Sequence, residues 1–95
     1  MRQACGGLFE QHRLADAVAT CRLTTEMHPY IWNSWYNLSL AQHAVGQERE
    51  RAMSLKCVLA LDPVNFNRDE ASETFAAVGG EIPLPHGCPI EQTSP

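Results

Sequence analysis

Residues 32–63, WNSWYNLSLAQHAVGQERERAMSLKCVLALDP, decide the fold of this chain because they encode two helices and the turn between them. In the first half, apolar side chains recur every three or four residues, which places them on one face of a helix. They are Trp32, Trp35, Leu38, Ala41 and Val45. Gly46 follows, and a glycine there can end a helix in a left-handed conformation. The pattern predicts a helix over residues 31–45.

The second half of this stretch predicts another helix, over residues 48–61. A second apolar set forms its buried side: Ala52, Leu55, Val58 or Leu59, and Leu61. Asp62-Pro63 ends the helix, because proline cannot continue a helix and disfavours helical geometry in the preceding residue. Residues 31–61 therefore read as two helices joined by a short turn.

The same stop signal occurs once upstream, where Met27-His28-Pro29 ends a predicted helix over residues 14–27. Pro29 and Pro63 lie 34 positions apart. A fixed period of about 20–50 residues is typical of stacked helical units. The repeat predicts that a helix–turn–helix unit occurs more than once.

The two ends of the chain are predicted separately. Residues 67–78 form a fourth helix, and residues 3–12 form only a short or frayed one, because Gly6-Gly7 costs roughly 2 kcal/mol inside a helix. Residues 81–95 are rich in proline, and we expect an irregular tail that is mobile rather than draped on the surface. This divides the chain into a helical domain, residues 1–78, and a proline-rich tail, residues 79–95.

At Trp35-Tyr36-Asn37-Leu38 the chain resembles the opening helix of a tetratricopeptide repeat, a family whose period is about 34 residues. The agreement continues through Gly46 to residues 59–63. Two positions depart from the family: Arg51 replaces a small residue, and Gln42 replaces a phenolic or apolar one. The resemblance implies an all-α fold, a short antiparallel helical solenoid of about two such units with a C-terminal capping helix.

Composition narrows the classes of function. The chain has 95 residues and a net charge of −4, which disfavours nucleic acid and anionic membrane surfaces as partners. We find no signal peptide and no apolar run of the ~18 residues that a membrane helix needs, so we expect a cytoplasmic protein. The sequence contains no nucleophile–base pair, phosphate loop or metal-ligand spacing. We therefore expect no enzyme activity, no cofactor and no metal.

The four cysteines, Cys5, Cys21, Cys57 and Cys88, form no C-x-x-C pair. Cys21 and Cys57 fall within predicted helices, where a free cysteine usually behaves as a small buried apolar residue. Cys88 falls in the tail. We expect free thiols, with the Cys88 thiol exposed in a reducing compartment.

The resemblance implies a protein-interaction module that binds a peptide segment of another protein in a concave groove. Groove positions match Asn33, Tyr36, Leu40 and His43 in the second unit, Arg2, Gly6, Phe9 and Glu10 in the first, and Asn67 and Glu70 in the fourth helix. We select six of them as partner-binding residues: Phe9, Asn33, Tyr36, Leu40, His43 and Asn67. The alternative for Tyr36 and Leu40 is burial against a neighbouring chain. Some members of the family clamp the C-terminal carboxylate of their ligand. Such a clamp is disfavoured here, because only Asn37 matches one of its positions.

The alternative function is a self-assembling structural protein whose repeats complete their core in a homodimer. About three repeats are normally needed for stability, and this chain has roughly two. Trp32 is an additional large aromatic residue beside Trp35, so it either packs in the core or joins an apolar patch on the surface. Trp32, Leu8 and Phe9 are therefore the candidates for a self-interface.

Overall fold

The computed structural model describes residues 14–61 and 68–89. These residues form four helices and no strand, which confirms the predicted all-α class. The helices are α1 (Leu14–Met27), α2 (Trp32–Ala44), α3 (Glu48–Leu61) and α4 (Arg68–Val78). The predicted N-terminal helix over residues 3–12 lies outside the described residues. Within the described ranges, no helix combines the length and apolar character needed to cross a membrane.

Each helix packs against the next helix in the chain. The contact between α2 and α3 is the most extensive, and α1 and α4 flank this pair. The first helix is described from Leu14 and the third as far as Leu61, and both of these residues lie at the edges of the described ranges.

The core is built largely from small and medium side chains. Its fully or almost fully buried members come from all four helices: Ala17, Cys21, Trp35, Leu38, Ala41, Leu55, Cys57, Val58 and Ala71. Val58, rather than Leu59, takes the buried position on α3, and Leu59 packs at the edge of the core. Because small residues allow two helices to approach closely, these side chains let α1 pack against α2, α2 against α3, and α3 against α4.

Both short turns have a specific physical basis. Trp35 Nε1 donates a hydrogen bond of 2.9 Å to the Pro29 carbonyl, which attaches the α1–α2 turn to the core. At the α2–α3 turn, Gly46 has a φ of +83°, a left-handed conformation that other residues rarely adopt. The backbone N–H of Gln47 then donates to the Gln42 carbonyl at 2.8 Å. Gly46 thus ends α2 in the way that the sequence predicted.

The segment after α4, as far as residue 89, follows the draped alternative rather than the mobile tail that we expected, and residues 90–95 lie outside the described residues. Residues 79–89, which we call the strap, have no helix or strand, but they pack onto the helices. Ile82 is only 6% exposed, and Leu84 and Cys88 pack against the core. Apolar burial explains the difference, because Ile82 and Leu84 gain more by contact with the core than they would in water.

The expectation of free thiols is also wrong. Cys57 and Cys88 form a disulfide that joins α3 to the strap across 31 positions of sequence. Cys21 is disulfide-bonded as well, to a partner outside the described residues. Spacing along the chain could not reveal the Cys57–Cys88 bond, because it depends on the strap folding back over α3.

Candidate functional site

The predicted groove residues of the second unit share one side of α2, which we call the groove face: Asn33, Tyr36, Leu40 and His43. Asn33 and His43 are exposed, while Tyr36 and Leu40 are half-buried. At 3.6 residues per turn, these four positions fall within about 80° of one another around the helix. The groove face therefore presents an exposed polar group at each end and larger side chains between them.

A polar network connects the groove face with the two following helices. The Tyr36 hydroxyl donates a hydrogen bond to Glu70 Oε1 at 3.3 Å, across 34 positions of sequence. Glu70 Oε2 accepts from Arg51 at 3.4 Å, and Arg51 also donates to Glu48 Oε1 at 3.4 Å. His43 Nδ1 lies 2.8 Å from Glu48 Oε2. One guanidinium thus joins two carboxylates, each of which contacts a groove-face residue.

The protonation of His43 determines which of two contacts is a hydrogen bond. Its Nδ1 lies 2.8 Å from Glu48 Oε2 and 3.3 Å from Arg51 NH1. A protonated Nδ1 donates to the carboxylate, whereas an unprotonated Nδ1 accepts from the guanidinium, so one tautomer cannot do both. The shorter distance favours donation to Glu48, and His43 Nε2 is then the ring nitrogen that remains for a partner.

The network shifts the pKa of two of its members. The His43 hydrogen bond lowers the pKa of Glu48 below the ordinary value of 4.5, and Arg51 adds to this effect. Burial raises the pKa of Tyr36 above the ordinary value of 10.0, and the adjacent Glu70 carboxylate raises it further. At neutral pH the network therefore contains an ionised Glu48 and a neutral phenol that donates its hydrogen bond.

Arg51, like Glu48, is a network residue that the sequence analysis did not identify as functional. It occupies the position where a small residue was expected, and the adjacent Ala52 is fully buried. The Arg51 side chain is 16% exposed, and its Nε is buried without a hydrogen-bond partner. The sequence did contain a signal for the role of Arg51, because a charged residue stands where the repeat pattern has a small one. An unexpected charge inside a repeat often has a specific partner.

Trp32 contributes to the core more than to the surface. It is half-buried, packs against the core, and contacts Tyr36 with ring centroids 6.1 Å apart. Among the residues that the structure describes, the large exposed apolar side chains are instead its neighbours Tyr30 and Ile31, 71% and 54% exposed, and Leu23 and Met27 on α1. We call these four residues the apolar patch: Leu23, Met27, Tyr30 and Ile31.

A cleft of about 320 Å³ lies beside the apolar patch, where α1 ends and α2 begins. Its lining mixes apolar, amide and hydroxyl groups: Thr24, Met27, His28, Ile31, Asn33, Ser34 and Asn37. Asn33 belongs to both this cleft and the groove face, so the two surfaces are continuous. The cleft offers hydrogen-bonding amides next to exposed apolar side chains, a combination that suits a peptide backbone with an apolar side chain.

The opposite side of α2 carries a second cavity, of about 380 Å³. We call this side, formed by Trp35, Leu38 and Gln42, the strap face, because Pro85, His86 and Gly87 of the strap form one wall of the cavity. Ser54 donates a buried hydrogen bond of 2.7 Å to Gln42 Oε1. Gln42 stands where the tetratricopeptide repeat family has a phenolic or apolar residue. Ser54 provides the hydrogen-bond donor that the buried side-chain oxygen of Gln42 needs at this position.

Several predicted residues cannot be placed on these surfaces. Leu8, Phe9 and Asn67 lie outside the described residues. Among the residues that the structure describes, no cluster of three or more His, Cys, Asp and Glu side chains could hold a metal ion. The candidate site therefore consists of the α2 groove face, its polar network and the adjoining cleft.

Comparison with known proteins adds no relative to this description. No family model, no curated protein and no solved structure matches the chain.

Proposed function

We propose that the protein is an interaction module that binds a peptide segment of another protein on the groove face of a short tetratricopeptide-like solenoid. The observation that carries the proposal is the Tyr36–Glu70 hydrogen bond, which joins equivalent positions of successive 34-residue units. In a stacked repeat, equivalent positions of neighbouring units form one continuous surface.

The chemistry of the groove face favours a neutral or basic peptide in an extended conformation. The exposed amide of Asn33 and the ring of His43 can hydrogen-bond to a peptide backbone. Tyr36 and Leu40 supply apolar contact area between them. Glu48 and Glu70 place two carboxylates around the single guanidinium of Arg51, so the local charge is complementary to lysine or arginine in the partner.

The double substitution Tyr36→Ala/His43→Ala tests this proposal. We would select binders from a displayed library of short random peptides with the wild-type protein, and measure the affinity of the enriched peptides for both proteins. We expect the double variant to lose binding by about 100-fold, because removal of a central aromatic residue commonly costs 2 kcal/mol or more. Far-UV circular dichroism verifies that the variant keeps its helices.

The matched control is Arg49→Ala/Glu73→Ala, which changes two exposed helix positions outside the groove face. It should bind the enriched peptides as the wild type does. If the library yields no peptide that discriminates between the wild type and the Tyr36/His43 variant, the groove-face proposal is wrong.

A second candidate function is self-assembly, and the apolar patch is the observation that favours it. Met27 and Tyr30 are each 71% exposed, next to Ile31 at 54%. Exposed apolar side chains that cluster in this way often mark an interface, and a two-fold symmetric dimer is the commonest way to cover one. In this candidate function the occupant of the patch is the same patch of a second copy.

Light scattering over a dilution series tests self-assembly. A dimer that Ile31→Asp converts to a monomer would support the patch as the interface, with the exposed substitution Arg49→Asp as the control. A wild-type protein that remains monomeric at the highest concentration would exclude this function, and it would leave the groove-face proposal unaffected.

The disulfides also bear on location. The expectation of a cytoplasmic protein included free thiols at Cys57 and Cys88, which are instead bonded to each other. Because disulfides persist mainly in oxidising compartments, we propose that the protein functions in one. Alkylation of thiols in the native source, followed by mass spectrometry, tests this: unmodified Cys57 and Cys88 are expected, and alkylation of both would contradict it.

A further inference from the structure

The strap resembles a bound peptide in the way that it meets the helices. It contains Ile82-Pro83-Leu84-Pro85, in which Ile82 is buried, Pro83 is exposed, and Leu84 packs against the core. Alternate residues of an extended chain point to the same side, so Ile82 and Leu84 act as two anchors with an outward-facing proline between them. The Lys56 ammonium donates a hydrogen bond to the Ile82 carbonyl. Such features are typical of an extended ligand on a helical surface.

The strap also forms one wall of the cavity of about 380 Å³ on the strap face of α2. A Cβ atom at Gly87 would lie 3.8 Å from Trp35 Cη2, so the strap backbone passes next to the indole ring. Gly87 has a φ of +92°, a conformation that favours glycine. Removal of the strap would therefore expose Trp35 and open the cavity on one side.

Apart from the disulfide, the strap is held by few specific bonds. Within the described residues, no backbone–backbone hydrogen bond joins residues 81–89 to a helix. Three prolines in this segment have no backbone N–H, so they do not require such bonds. The remaining attachments are the apolar anchors and the Lys56 contact. Their combined strength is comparable to the binding strength of a weak peptide ligand.

We propose that the strap face is a second peptide-binding surface, which takes an extended segment with alternating aliphatic residues and prolines, and that the Cys57–Cys88 disulfide latches the protein's own segment into it. The occupant is defined by the strap itself: its residues 85–87 already line the cavity of this face, and Ile82 and Leu84 anchor the chain just before them. This surface lies about 140° around α2 from the groove face, so the proposal is independent of the groove-face function.

The latch opens by thiol–disulfide exchange with a dithiol reductant. One thiolate of the reductant attacks a sulfur of the Cys57–Cys88 bond, and its second thiol resolves the mixed disulfide. Two electrons and two protons pass to the protein, which gains two thiols, while the reductant becomes a disulfide. Cys88 is only half-buried, whereas Cys57 is fully buried, so we expect the attack at the Cys88 sulfur.

The variant Cys57→Ala/Cys88→Ser tests the latch without breaking the disulfide at Cys21. The probe is a fluorescently labelled synthetic peptide with the sequence of residues 80–89 and serine at position 88. The control probe carries aspartate in place of Ile82 and Leu84. We would measure fluorescence anisotropy with the oxidised wild type and the variant, and verify helix content by far-UV circular dichroism.

We expect the variant to remain helical and to bind the probe about tenfold more tightly than the oxidised wild type, because the latch gives the resident strap a high effective concentration. Adding Ile82→Asp and Leu84→Asp to the variant should tighten binding further, because the resident strap then competes poorly. The control probe should not bind any of the three proteins.

Three results would overturn the proposal. Equal binding to the wild type and the variant would show that the disulfide does not control access. A variant that keeps its helices but does not bind the probe would show that the strap face is not a peptide site. Loss of helix in the variant would show that the disulfide is needed for folding and does not act as a latch.

Discussion

The two opposite sides of α2 are stabilised in different ways, although they belong to the same 13-residue helix. The groove face is open, and its contacts are long or solvent-exposed, such as Arg51 to Glu70 at 3.4 Å. The strap face is covered, and its contacts are a disulfide, a buried hydrogen bond and apolar packing. Because long or exposed ion pairs contribute little and apolar burial contributes much, stability should depend mainly on the strap face, and recognition on the groove face.

The sharpest test of this comparison removes the disulfide. We expect Cys57→Ala/Cys88→Ser to lower the free energy of unfolding by about 3–4 kcal/mol, since the bond closes a loop with a sequence separation of 31. Urea denaturation followed by circular dichroism measures the loss. Arg51→Ala, on the groove side, should cost clearly less, and a larger loss for Arg51→Ala would reverse the comparison.

The two tryptophans of α2 provide a matched pair. Trp35→Phe should lower stability by about 2 kcal/mol, because it leaves the Pro29 carbonyl without its 2.9 Å hydrogen bond and reduces packing under the strap. Trp32→Phe is the control, and it keeps an aromatic ring beside Tyr36, so it should cost less than about 1 kcal/mol. Thermal unfolding of both variants measures the difference. Equal losses would mean that the Trp35 hydrogen bond does not contribute.

The buried Gln42–Ser54 pair tests whether the strap face depends on satisfied polar groups. Ser54→Ala should cost about 1 kcal/mol, because it removes the donor that lies 2.7 Å from Gln42 Oε1. The double variant Gln42→Leu/Ser54→Ala removes both polar groups and should recover most of that loss. Chemical denaturation of the wild type, the single variants Gln42→Leu and Ser54→Ala, and the double variant gives the coupling energy, and a double variant less stable than Ser54→Ala would contradict this account.

The smallest expected effect is the pH dependence of the groove face. Glu48 has a lowered pKa in the folded state. Its contribution to the free energy of unfolding is therefore present above the ordinary pKa of 4.5 and is lost as pH falls through the folded pKa. Tyr36 has a raised pKa, so its contribution is present below 10.0 and is lost as pH rises through the folded value. Unfolding measured from acid to alkaline pH should show both losses.

Two substitutions assign these losses to the network. Glu48→Gln should make the free energy of unfolding less dependent on pH on the acid side, and Tyr36→Phe should do the same on the alkaline side. Glu73→Gln changes an exposed carboxylate of α4 and serves as the control for the acid side. An acid profile that Glu48→Gln leaves unchanged would mean that His43 and Arg51 do not stabilise the ionised Glu48.

Much of the fold could be predicted because its signals are local. Apolar spacing and the stop signals at Pro29 and Gly46 depend on neighbouring residues only, and the described helices agree with the predicted bounds to within one residue where the structure describes both ends. Of the candidate site, the placement of Tyr36 and His43 on one side of α2 also follows from helical spacing. Their partners Glu48, Arg51 and Glu70 form a network that spans three helices. Of these three partners, only Glu70 was named as a groove position from the sequence.

The sequence by itself determined the helical class and the 34-residue spacing of its proline stop signals, because both depend on spacing along the chain. The tertiary structure alone decided that Cys57 meets Cys88, that the strap covers Trp35, and that Arg51 joins two carboxylates. These contacts link residues that are distant in sequence, and no local pattern records which distant residues apolar burial will bring together.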